Sequence, residues 1–177
     1  MVTIRPQRED DVTEVARVHV RAWQAGYAGI IPEEVLDALD PEAFAERRRQ
    51  WHGAKEFETL VAVDGPAIVG FATVGQYREQ QDRNVLVPEI GEVLAIYLEP
   101  ARVGTGLGRT LMAAALAELN SRGFRTVRLW VLEDNKRSRR FYEKAGFRPD
   151  GVRSTYDVRS GGETLSLPEI RYVRKDG

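Results

Sequence analysis

The 177-residue chain contains no cysteine. That excludes disulfides, thiolate metal ligands and a cysteine nucleophile together. Histidine is scarce: His19 and His52 are the only 2, too few for a His-rich metal site, and no metal is expected. His19 falls inside a helical pattern and reads as a structural or solvated residue. No run of about 18 apolar residues occurs, so no membrane-spanning helix is expected. The opening MVTIRPQREDDV lacks the apolar segment of a signal peptide. A dominant charge is missing too. The formal net charge is -1, without the basic excess of a general nucleic-acid binder. The expected setting is the reducing cytoplasm, with neither nucleic acid nor membrane as partner.

What is present is the balance of a globular protein, 42% hydrophobic and 30% charged. The length suits one domain over 1–177. A short strand, VTIRP, is stopped by Pro6. From Asp10, apolar residues recur at three- and four-residue spacing through Trp23, which predicts an amphipathic helix. PEEVLDALD and PEAFAERRRQW predict two short helices, the second with a very basic face. Two strands, 57–64 and 67–77, flank the turn signal DGP. The polar stretch around 78–88 is expected to be a mobile loop that can serve as a lid. IGEVLAIYLE (90–99) reads as a strand, and FRTVRLWVLE (124–133) as another. NKRSRRFYEKAGF (135–147) reads as a helix ended by Gly146. Two more strands, near 152–159 and 164–174, close the chain, with Pro168 suggesting a bulge or an edge. The order strand, glycines, helix, strand, helix over 90–147 indicates an α/β fold.

Between the 90–99 strand and its helix lies ARVGTGLGRTLM, residues 101–112. A helix start leaves backbone N–H groups without acceptors, and the helix dipole makes that end partly positive. Glycines remove the side chains that would keep a ligand away. The combination suits phosphate or pyrophosphate, with Arg102 and Arg109 able to add charge. Leu107, Leu111, Ala115 and Leu119 form the apolar face of the helix. A nucleotide P-loop would need Gly-Lys-Ser/Thr, but Arg109 and Thr110 follow Gly108. A dinucleotide loop would need G-x-G-x-x-G, but the glycines fall at 104, 106 and 108.

LEPARVGTGLGRTLM followed by LWVLEDNKRSRRFYEKAGF resembles the GNAT family of N-acetyltransferases. The family loop, [Q/R]-x-x-G-x-[G/A], matches at Gly106 and Gly108 and departs at Val103, with Arg102 one place earlier. The later helix matches through Asn135, Ser138, Phe141, Tyr142, Gly146 and Phe147. The resemblance implies a single-domain α/β fold, a mixed and mostly antiparallel sheet with a splayed central strand pair flanked by helices. It implies acetyl-CoA as cofactor. Its pyrophosphate would lie on the segment Arg102, Val103, Gly104, Gly106, Leu107, Gly108 and Arg109, and its pantetheine arm along Ile96 and Leu98. Asn135 and Ser138 would also contact the arm, and Arg139 and Arg140 can reach phosphates.

Acetyl transfer to an amine needs a base, since an amine of pKa near 10 is protonated at pH 7. Glu92, among apolar neighbours, is the first candidate, and a glutamate base at a similar offset occurs in the family. Glu99 and Glu133 are the alternatives. Tyr142 matches the tyrosine that faces the thioester sulfur and can protonate the leaving thiolate. The acceptor wall is expected from Trp23, Tyr27, Ile31, Tyr77, Trp130 and Tyr156. Several aromatics there would favour a small primary amine or amino-acid derivative, attacking directly in a ternary complex. The competing expectation is a non-catalytic acyl-CoA sensor. A homodimer is also consistent, through the C-terminal strands.

Overall fold

Periodicity places most of the elements. In the computed structural model, which describes residues 1–79 and 82–176, the chain starts with strand β1 (Val2–Pro6) and helix α1 (Val12–Gly26). The one-sided spacing of α1 buries Val12, Val15, Ala16, Val18 and Val20. Helix α2 (Glu33–Asp37) follows Pro32, and α3 (Pro41–Trp51) begins where the Asp40 carboxylate accepts the Glu42 N–H at 3.0 Å. Then come β2 (Phe57–Asp64), β3 (Ala67–Arg78), β4 (Leu86–Leu98), α4 (Leu107–Ser121), β5 (Thr126–Leu132), α5 (Lys136–Lys144), β6 (Arg148–Ser160) and β7 (Glu163–Lys175).

The strands form a seven-stranded sheet among the described residues, ordered β1-β2-β3-β4-β5-β7-β6. Every neighbouring pair is antiparallel except β4 with β5. This is the mixed, mostly antiparallel α/β sheet expected from the sequence. Helices cover both faces, and alternation along β3 shows how. Phe71 packs with Val15 and Val18 of α1, whereas Ala72 and Val74 pack with Leu111, Ala115 and Leu119 of α4. The expected apolar stripe of α4 is thus buried, with Leu111, Ala115 and Leu119 at 0% exposure.

Two expectations are corrected. The stretch 78–88 is not one long loop: β3 extends through Arg78 and β4 begins at Leu86. The connection is drawn in by Glu79 N–H on Val85 O at 2.8 Å and Val85 N–H on Asp82 O at 2.9 Å. Gln80 and Gln81 of the expected lid lie outside the described residues. Pro168 marks neither a bulge nor an edge strand, because β7 lies between β5 and β6 and keeps register at Thr155↔Pro168. The ladder with β5 stops at Leu132↔Glu169, so no β5 carbonyl needs the N–H that proline lacks. Only its carbonyl is used on that side, accepting Glu133 N–H at 2.9 Å.

Candidate active site

β4 and β5 pair only at Ile90↔Thr126, Gly91↔Val127 and Glu92↔Arg128, and then part. The register with β3 slips at Thr73/Val74, leaving Leu94 as a bulge. From there Ile96, Tyr97 and Leu98 pair with β3 alone, so alternate peptide groups of β4 face the gap without a strand partner. A cavity of about 560 Å³ occupies the opening. The splayed pair expected from the sequence is therefore present.

The glycine segment stands beside the gap. Gly106, φ +94°, is the residue before α4, a conformation that a Cβ disfavours. The first helical bond runs from Thr110 N–H to Gly106 O at 3.3 Å. Among the described residues, the N–H groups of Gly106, Leu107, Gly108 and Arg109 meet no acceptor in the chain. These are the free donors an anion needs. A Cβ on Gly108 would meet the Phe141 ring of α5 at 3.4 Å, ordinary van der Waals contact. Cβ atoms built on Gly106 and Gly104 would lie 3.8 Å and 3.9 Å from guanidinium nitrogens of Arg109 and Arg137, so both cations edge the segment. Arg137 was missed from the sequence, where four of the five residues 136–140 are basic. Arg102 is turned away, donating to Asp64 at 2.5 Å. Arg139 is likewise used internally, on Tyr172 Oη and Glu133 O at 3.0 Å each. Val103 is exposed, and the Leu98 side chain packs under α4.

Tyr142, Asn135 and Ser138 all line the cavity, as does Ile96. Burial, followed by the nearby Tyr97 hydroxyl, pushes the Tyr142 phenol above its ordinary value, which keeps its proton on as a donor. The Asn135 carboxamide oxygen accepts the Ser138 N–H at 3.2 Å and caps α5.

Glu92 is 1% exposed, and its expected apolar setting is corrected. Arg78 grips it, Nε on Oε2 and a terminal nitrogen on Oε1 at 3.0 Å each, and the Arg78 N–H adds a bond of 3.1 Å. Arg78, not Glu92, faces the cavity. Glu99 and Glu133 are held by Arg21 and Arg153, away from the cavity lining. A different carboxylate does face it. Glu169 on β7 is 6% exposed and lies 3.1 Å from Arg83. Burial raises its carboxyl above the ordinary range, against the opposing pull of Arg83 and Arg78.

Trp23, Tyr27, Ile31, Trp130 and Tyr156 line the cavity together, as expected for an acceptor wall. Tyr77 does not. It is 0% exposed, with the guanidinium groups of Arg128 and Arg171 5.0 Å and 5.8 Å from its ring centre. β3 is buried on both faces, so alternation alone cannot tell a core ring from a cleft ring. His19, Tyr97 and Arg48 are among the further residues of the wall. Tyr97 stacks on His19 and its hydroxyl lies 3.0 Å from that of Tyr27. Arg48 reaches in from α3, with its guanidinium 4.3 Å from the Phe71 ring centre. Its position was legible, since it follows buried Phe44 and Ala45 by four and three residues.

The chain matches the family model described as "Acetyltransferase (GNAT) family" over residues 19–147. It is 34% identical over 136 residues to the uncharacterized N-acetyltransferase YuaI of Bacillus subtilis, a match covering 76% of this chain and 74% of that protein. It is 33% identical over 150 residues to the mycothiol acetyltransferase of Rhodococcus erythropolis, covering 82% of this chain but 46% of that protein. The chain thus spans about half the length of that relative. Among solved structures, the PaiA N-acetyltransferase of Thermoplasma acidophilum, in complex with coenzyme A, superposes with a TM-score of 0.76 at 20% identity, covering 99% of each chain.

Proposed function

The chain belongs to the acetyltransferase (GNAT) family, whose members use acetyl-CoA, and we propose that it moves the acetyl group to the primary amine of a small molecule by direct attack in a ternary complex. The observation that carries this reading is the adjacency of two unsatisfied backbone surfaces, the start of α4 and the gap-facing edge of β4. Both fit acetyl-CoA. The N–H groups of Gly106, Leu107, Gly108 and Arg109 hold the pyrophosphate, with Arg109 and Arg137 beside them. The open edge through Ile96 and Leu98 holds the amides of the pantetheine arm. Acetyl-CoA supplies the activated acetyl group as a thioester.

The remaining work falls to the chain. An N–H of the β4 edge near Leu98 holds the carbonyl oxygen, a contact that strengthens as charge gathers there. Tyr142, kept protonated by burial, donates to the leaving sulfur. Asn135 and Ser138 steady the arm from the start of α5. Glu169, the buried carboxylate in the cleft wall, takes the amine's proton directly or through water. Glu92 acts one step removed, fixing Arg78 in the wall. Trp23, Tyr27, Trp130 and Tyr156 surround the acceptor.

The test is a comparison of melting temperature with acetyl-CoA, coenzyme A, ATP and NAD, followed by free-thiol release from an amine library. Stabilisation by acetyl-CoA and coenzyme A, with thiol released for one amine class, is expected. Stabilisation by ATP instead would overturn the cofactor reading. Stabilisation by acetyl-CoA with no amine turned over would leave a sensor.

A further inference from the structure

Several arginines of this protein are held by carboxylates. Arg78 holds Glu92, Arg83 holds Glu169, Arg102 holds Asp64, and Arg171 holds Asp150. Arg47 and Arg48, both in the cavity wall, are in no ion pair among the described residues, and of the two the less exposed is Arg48. It enters the cavity wall from α3. Among the described residues, no carboxylate lies within 4.0 Å of its guanidinium. What it has instead is weak: Thr73 Oγ1 at 3.5 Å, His19 Nδ1 at 3.4 Å and the face of Phe71. Its Nε is buried and has no partner. Burial brings its pKa down to about 10, which leaves it charged at neutral pH. A partly buried guanidinium without a counterion is costly, and the cost is offset when an anion arrives from outside.

The wall also carries carboxylates, beside Arg78 and Arg83, which are themselves held by Glu92 and Glu169. Arg48 lies against β3, on one side of the β4–β5 gap. Asp157 on β6 and Glu169 on β7 line the same cavity from beyond the other side. A cation at one end and carboxylates at the other fit a molecule with one charge of each sign.

We infer that the acceptor is a zwitterionic amine, an amino acid or a close derivative, whose carboxylate binds Arg48 while its amine lies toward Glu169 and Asp157. This rests on the acetyltransferase reading above and narrows its substrate class. Arg48 thereby sets specificity: it selects carboxylate-bearing acceptors and orients the amine across the gap. No bond to Arg48 is made or broken in the reaction.

The experiment measures thiol release with acetyl-CoA across the twenty L-amino acids, their C-terminal amides and their decarboxylated amines. Carboxylate-bearing members are expected to be favoured in kcat/KM by roughly 10- to 100-fold, the worth of one charge-assisted hydrogen bond. Arg48→Gln should abolish that preference through KM, and Arg48→Lys should retain part of it. Binding of acetyl-CoA, read by thermal shift in the same samples, should be unchanged in both variants. A second measurement needs no variant: phenylacetate should quench tryptophan fluorescence from Trp23 and Trp130 at concentrations where neutral phenylacetamide does not. Equal turnover of neutral amines, a preference that survives Arg48→Gln, or no turnover of any carboxylate-bearing member would overturn the inference. If acetyl-CoA still raises the melting temperature in that case, only the substrate class is wrong. If it does not, the acetyltransferase reading fails first.

Discussion

Replacing Gly106 with alanine separates the fold of the glycine segment from its binding role. Gly106 sits at φ +94° immediately before α4. A Cβ there would lie 3.8 Å from its nearest neighbour, an Arg109 guanidinium nitrogen, so it meets no steric block in the free protein. The folded-state cost is then the left-handed backbone alone, about 1–2 kcal/mol. For a chain of this size that lowers the melting temperature by about 2–8 °C. Ligand binding should suffer separately. The methyl group would project where the pyrophosphate meets the N–H groups, weakening coenzyme A roughly 10- to 100-fold through loss of one charge-assisted bond. The control lies at the other end of the same helix. Gly123 has φ +89° and open space around its notional Cβ, so Gly123→Ala carries similar strain with no ligand nearby. Differential scanning fluorimetry and isothermal titration should show matching stability losses and a weakened coenzyme A affinity in Gly106→Ala alone. Identical affinities in the two variants would refute the cradle.

Three further outcomes are expected. Tyr142→Phe should lower kcat roughly 100-fold or more while sparing acetyl-CoA affinity, read by steady-state kinetics beside titration; an unchanged kcat would remove the phenol from the proton path. In Glu169→Gln, the acid limb of the kcat/KM profile should vanish, since the wild-type carboxyl is raised by burial and must lose its proton to act as base; Glu92→Gln should keep that limb. His19 is held neutral, its pKa pushed well below the ordinary value by burial and then by Arg48 and Arg47. Below about pH 6.5 the unfolded chain takes up the proton that the native state refuses, so stability falls toward the folded pKa by up to about 1.4 kcal/mol per pH unit. His19→Phe should flatten that slope in melting curves between pH 7 and 5.

The sequence showed the cofactor side of the site more clearly than the acceptor side, for a physical reason. Free N–H groups at a helix start need glycines and a periodic apolar stripe, and both are local patterns. Gly106, Gly108 and the Leu111–Leu119 face could therefore be read directly. Tyr142 and Asn135 stood out through the resemblance of the 135–147 segment to the family's helix. The acceptor wall depends on which strands become neighbours. Glu169 reaches the cleft because β7 inserts between β5 and β6, a long-range choice with no local mark. Glu92 was placed correctly in its strand, but its partner Arg78 comes from the adjacent strand 14 residues earlier. Tyr77 was misassigned because β3 is apolar on both faces. Arg48 carried a signal, its helical spacing from Phe44, that the surrounding run of arginines hid.

The central claim is that the bare start of α4 grips the diphosphate of acetyl-CoA beside the parted strands. Titrating the isotope-labelled protein with coenzyme A and following backbone amides by NMR tests it most directly. The amides of Gly106, Gly108 and Arg109 should move downfield most and gain protection from exchange, together with those of Ile96 and Leu98. Binding that leaves the Gly106–Arg109 signals unmoved would contradict the account.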